Sequence, residues 1–172
     1  MSELIILTGG QTGVDRAALD AAVARGMTYG GWCPQGGWAE DCPTPPGLLA
    51  NYPLLRETPL ADPAQRTEWN VRDADANLIL VDAGGTAVSR GTELAQSLAA
   101  RYHKPLLVLE LAAPDAAART RVWLDGLRAA QTRTPFRLAV GGPRESEAPG
   151  IYKKTRALVA GLLDTLPPLT PR

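Results

Sequence analysis

The chain is poor in the residues that metal and disulfide chemistry need. It has two cysteines, Cys33 and Cys42, and one histidine, His103, in 172 residues. That inventory cannot supply a structural zinc site of four cysteines, or of two cysteines and two histidines. One disulfide is the most it allows, and a reducing cytosol disfavours it. A histidine-centred triad would need His103, which sits in Arg101-Tyr102-His103-Lys104-Pro105, the pattern of a helix end before a strand. An excess of one charge is also missing. The 18 basic and 18 acidic residues balance, so nothing predicts broad affinity for nucleic acid or an anionic membrane, and any anion site must be local. No apolar run approaches the roughly 20 residues of a membrane span. The N-terminus lacks the basic start and long apolar core of a signal peptide. The expectation is a soluble, cytoplasmic protein with no nucleic-acid or membrane partner. No G-K-[ST] occurs, which excludes a P-loop NTPase.

What the chain does have is hydrophobic residues, at 45%, and punctuating glycines. Its length suits one domain over 1–172, with a tail from about 167 expected to fray. Apolar runs and helical stripes alternate. A strand over Leu4–Leu7 precedes a helix from about Gly13 to Arg25, which Gly26 ends. Tyr29 to Pro34 reads as a second strand carrying two glycines, a sign of close approach by another backbone or a ligand. Residues 34–53 read as an ordered loop, with Leu54–Glu57 as a short strand near the edge. Asp62-Pro63 reads as an N-cap and first helical residue, opening a helix to Asp75. Arg66, Asn70 and Asp73 share one face of it, either solvated or turned toward a site. Ala76–Val81 is the strongest strand, nearly continuous in apolar residues. A helix follows with Thr92 at its start, then a strand over 105–109 and a helix over 114–130 with Trp123, Leu124 and Leu127 inward. Phe136–Val140 and a last helix from about Pro149 complete the pattern.

This alternation predicts an α/β fold: a Rossmann-like open parallel sheet with helices on both faces. Three glycine-rich loops, 8–13, 83–92 and 141–146, follow strands and so open on one rim. With the strand order 3-2-1-4-5-6, the first strand and Ala76–Val81 would be neighbours, and two helix N-termini would face a shared crevice. The candidate binding residues are Gly9, Gly10, Gln11, Thr12, Gly13 and Arg16 in the first loop, and Gly84, Gly85, Thr86, Arg90, Gly91 and Thr92 in the second. Arg16, Arg90 and Arg144 are candidate phosphate partners, because a guanidinium binds two oxygens at once. An NAD site would place an acidic residue at the end of the second strand. Trp32-Cys33-Pro34 stands there instead, so Trp32 either stacks on a ligand ring or packs in the core. Cys33 is either a small buried hydrophobe or a soft thiolate ligand. Glu40, Asp41 and Glu93 are the candidate acid–base residues; no catalytic group stands out.

Thr8-Gly9-Gly10-Gln11-Thr12-Gly13-Val14-Asp15-Arg16-Ala17-Ala18-Leu19-Asp20 resembles the opening signature of the molybdenum cofactor carrier family of the SLOG superfamily. Gly30-Gly31-Trp32-Cys33-Pro34, Ala39-Glu40-Asp41, Arg66-Thr67-Glu68-Trp69-Asn70-Val71-Arg72-Asp73 and Gly142-Pro143-Arg144-Glu145-Ser146 resemble its pattern in the same order, to about residue 160. The resemblance implies a Rossmann-like homo-oligomer, a dimer or tetramer, that binds a phosphorylated small molecule: the molybdenum cofactor, a pterin with a terminal phosphate and a metal dithiolene, or a nucleotide. The same superfamily contains nucleoside 5′-monophosphate phosphoribohydrolases with the signature P-G-G-x-G-T-x-x-E. Here Ala83 replaces its proline, extra residues separate Gly84-Gly85 from Gly91-Thr92, and Ala95 stands at the glutamate.

Overall fold

The computed structural model describes residues 3–132 and 134–166, so the expected fraying of the tail lies outside the described residues. The elements in chain order are β1 (Leu4–Leu7), α1 (Val14–Val23), β2 (Tyr29–Gly30), β3 (Trp32–Cys33), β4 (Arg56–Glu57), α2 (Pro63–Asp73), β5 (Ala76–Val81), α3 (Arg90–Arg101), β6 (Leu106–Glu110), α4 (Ala116–Ala130), β7 (Phe136–Gly141) and α5 (Ile151–Asp164). Five strands form an all-parallel sheet in the order β2-β1-β7-β5-β6. The Rossmann-like α/β class is as expected.

The strand neighbours are not. β7 lies between β1 and β5, pairing Leu4–Leu7 on one side and Ala76–Ile79 on the other. Counted from β7, the order becomes 3-2-1-4-5. The expected pattern is therefore present, but the chain reaches its first strand last. The crevice at which a parallel sheet reverses direction then lies between β7 and β5.

The expected second strand is broken in two. Gly31, at φ 117°, turns the chain out of the main sheet, where a side chain would collide with the Thr8 backbone. Trp32–Cys33 then pairs with Arg56–Glu57 in a separate two-stranded sheet, rather than at the main sheet's edge.

Side chains alternate across the parallel strands. Ala76, Leu78 and Leu80 of β5 enter the main core with Val14, Leu124, Ile151 and Val159 from α1, α4 and α5. The opposite face lies under α2 and α3, with smaller clusters around Leu7, Ala74 and Ala139 and around Val71, Leu98 and Ala99. Asn77 stands on that face, paired in register with Ala139. An amide and an alanine fill less than the leucines of the other face, and a cavity opens above them.

Both covering helices are capped. Asp62 accepts from the Ala64 N–H, with Pro63 next, as the sequence predicts. At α3 the cap is Ser89, not Thr92. Ser89 has extended backbone (φ −138°, ψ 113°) and accepts from the Thr92 N–H, which leaves Thr92 inside the helix.

Candidate functional site

The cavity between the sheet and helices α2 and α3 measures about 70 Å³. Its floor is Asn77, Ile79, Ala139 and Gly141; α2 adds Arg66, Thr67 and Asn70, and α3 adds Gly91, Thr92 and Ala95. Thr8, Gly9, Gln11, Gly142, Arg144 and Glu147 line the rim side.

Three polar side-chain atoms here are buried with no hydrogen-bond partner: Arg66 Nε, Asn77 Nδ2 and Thr92 Oγ1. Asn77 and Thr92 are each 3% exposed. An unsatisfied buried polar group costs about 1–3 kcal/mol. Three from three different elements around one cavity are therefore a strong sign of a missing partner. Arg66 Nε and Asn77 Nδ2 are donors, and the Thr92 hydroxyl can donate, so these three atoms suit oxygen acceptors. The N-terminus of α3 opens on the same space through Gly91 and adds positive dipole end.

The first glycine loop is occupied by the protein itself. Asp15, in the first turn of α1 and 4% exposed, accepts from backbone N–H groups of Gln11 and Gly9 and pairs with Arg66 Nη1 at 3.0 Å. Burial pushes its carboxyl above the usual range, against the opposing pull of Arg66. The Gly10 N–H donates to Thr8 Oγ1, the Thr12 N–H to Gln11 Oε1 and the Val14 N–H to the Pro143 carbonyl. A side chain at Gly13 would strike that carbonyl, so the glycine serves contact with the β7 loop. The N–H groups at the start of α1 are thus taken up by the chain itself, and α1 turns the Asp15 carboxylate toward the cavity, whereas α3 opens its start on it through Gly91.

Of the residues expected to bind, Gly9, Gln11, Gly91 and Thr92 line the cavity. Gly9 leaves room for the Arg66 guanidinium, and Gly10 packs against Leu48 and Leu55. Arg16 makes a two-pronged pair with Asp41 at 2.9 Å and bonds the Gly10 carbonyl. That pairing holds the Asp41 carboxyl below its usual range. Gly84, Gly85 and Thr86, on the loop before α3, and Arg90, the first residue of α3, lie outside the cavity lining. Trp32 packs edge-on against Trp69 at 4.6 Å, lies under Arg56 and donates its indole N–H to Asp73.

Among the candidate acids, Glu93 is exposed on the first turn of α3, away from the lining. Glu40 ties loops together: it accepts from Thr12 and from the Ser146 hydroxyl at 2.7 Å, and lies 3.6 Å from Arg144. Burial opposes its charge, but these partners outweigh burial and hold the carboxyl below its usual range. Cys33 is fully buried beside Leu19, Leu48 and Leu55, and desolvation pushes its thiol up to about 11. Neither Cys33 nor Cys42 lines the cavity, so the site offers no thiolate to a metal.

Sequence reasoning missed Asn77, Asp15, Ser89 and Glu147. Asn77 carried a signal: it is a polar residue inside the most apolar strand of the chain. Arg66 and Asn70 were visible as one face of α2. The structure turns that face inward, where the Asn70 amide brackets the Trp32 backbone by accepting from its N–H and donating to its carbonyl.

The circularly permutated YpsA SLOG family model matches residues 6–163. The chain belongs to that family. Permutation is what the sheet shows, with the first strand of the 3-2-1-4-5 order carried at the end of the chain. This SLOG chain is also similar to a crystal structure from Syntrophus aciditrophicus SB, of a protein provisionally named a molybdenum carrier protein. The two are 35% identical over 94% of this chain and 96% of that one, with a TM-score of 0.79. No curated protein matches significantly.

Proposed function

We propose that this SLOG protein binds the phosphoryl end of a small phosphorylated ligand and serves as its carrier. The observation that carries the reading is the convergence of unpartnered Arg66 Nε, Asn77 Nδ2 and Thr92 Oγ1 on one cavity, beside the start of α3. Size narrows it further. About 70 Å³ suits a phosphoryl group, whereas pockets that enclose a whole drug-sized ligand run to roughly 300 Å³ or more. The rest of the ligand then projects past Arg144 and Glu147 on the rim. Arg144 lies 3.6 Å from Glu40 and 3.5 Å from Glu147, so its guanidinium is held at the mouth without a tight partner.

The ligand is the molybdenum cofactor or a nucleotide. For the cofactor, the donor set fits the terminal phosphate, and the metal keeps its own dithiolene, so a site without cysteine is no obstacle. The provisional name of the Syntrophus protein supports this choice. Hydrolysis of nucleoside monophosphates is less well supported, because Ala95 lines the cavity where that reaction's signature has a glutamate.

Two measurements test the proposal. Mass spectrometry of ligand released from the purified protein should find a phosphorylated compound, and inorganic phosphate or AMP should raise the melting temperature. No phosphorylated compound and no thermal shift would defeat it. Free adenine appearing on incubation with AMP would replace the carrier with the hydrolase.

A further inference from the structure

The outer face of α4 carries a symmetry in its sequence that the carrier reading does not use. Val122, 74% exposed, is the most exposed of the large hydrophobic side chains among the described residues. Three positions before it is Arg119 and three after is Asp125; four before is Ala118 and four after is Gly126. All five residues are exposed, and at helical spacing they form one stripe. Nothing lies within 4 Å of where a side chain at Gly126 would stand. The stripe borders a shallow groove floored by Leu107 and Trp123, beside β6, whose ladder pairs it with β5 alone among the described strands.

We infer that this face of α4 pairs with the same face of a second copy, antiparallel, about a two-fold axis through Val122. A two-fold interface must complement itself: the residue before the axis on one copy meets the residue as far after it on the other. The pattern meets that condition at the axis and at the third and fourth positions on either side of it. Val122 meets its own copy. Arg119 faces Asp125 of the second copy, and the axis repeats the pair. Ala118 faces Gly126, so small residues lie where the backbones come closest. Within one chain these charges have only weak, exposed partners: Arg119 lies 4.0 Å from Asp115, and Asp125 bonds Arg121 at 3.1 Å. They remain free to re-pair across an interface. The α4 helix, 15 residues and about 22 Å long, is shorter than a standard interface needs. The adjoining groove and the free edge of β6 extend the contact.

Charge reversal tests the geometry. Sedimentation velocity on the wild-type protein across the micromolar range should show a reversible dimer. Arg119→Asp alone, or Asp125→Arg alone, sets like charges opposite each other twice and should weaken the dimer about tenfold or more. The double variant R119D/D125R swaps the pair and should restore it. Circular dichroism checks that each variant keeps its helices; both positions are on the surface. A wild-type monomer throughout, a dimer indifferent to the single reversals, or a double variant no better than either single would each overturn the inference.

Discussion

An unpartnered buried donor makes a double prediction: removing it stabilises the empty protein and weakens the ligand. Thr92→Val is the cleanest case. Valine keeps the shape and β-branching of threonine, and the cap at Ser89 uses the Thr92 backbone N–H, which the substitution leaves intact. What disappears is a hydroxyl 3% exposed at its residue and bonded to nothing. A buried unsatisfied polar group costs about 1–3 kcal/mol, so the variant should be about 1 kcal/mol more stable than wild type. For a chain of this size that is a rise of about 2–4 °C in Tm. Urea denaturation in phosphate-free buffer measures it. Calorimetric titration with inorganic phosphate should show affinity falling about fivefold, the equivalent of one modest hydrogen bond. Thr155 supplies the control. Its hydroxyl is also buried and unpartnered, but it lies on α5, away from the cavity. Thr155→Val should stabilise the chain and leave phosphate binding alone. A loss of about 1 kcal/mol in empty Thr92→Val would refute the reasoning, because it would mean the hydroxyl already has a partner.

Three further outcomes follow from the same geometry. Arg66→Ala strands the buried Asp15 carboxylate, and urea denaturation should show about 3–5 kcal/mol of lost stability; a loss under about 1 kcal/mol would mean the pair is not structural. Glu40 titrates below its usual range, so its stabilising contribution is complete above the ordinary carboxylate pKa and disappears as pH falls through the lower folded value. Glu40→Gln should therefore flatten the acid limb of the stability–pH curve, and an unchanged limb would sink the assignment. Gly13→Ala places a side chain against the Pro143 carbonyl at a backbone φ of 78°, and should cost about 1–3 kcal/mol from the backbone conformation alone, read by thermal melting.

The layered fold was legible because parallel strands and amphipathic helices announce themselves by period and composition. The place of β7 was not. Every strand–loop–helix unit looks alike in sequence, and nothing in Phe136–Gly141 states which strands it will pair. The glycine-rich opening stretch was read as half of a ligand clamp for the same reason: a glycine turn before a helix looks the same whether it holds a phosphate or the molecule's own Asp15. Arg66 and Asn70 were visible only as a helix face, because the burial of that face depends on a sheet far away in sequence. Asn77 was the clearest sign overlooked, since an amide in a run of Leu, Ile and Val requires a reason.

The central position of β7 has a consequence for how the chain is made. A polypeptide leaves the ribosome N-terminus first, and β7 follows every other strand in the chain. Until it arrives, β1 has only β2 to pair with in the main sheet and β5 has only β6. Neither pair bonds the other, and each presents an open inner edge, the kind of surface on which strands of different molecules join. Before β7 is made, no strand of the main sheet can join the two pairs. Phe136–Gly141 closes both edges in one step, and the floor of the cavity comes into being at the same moment.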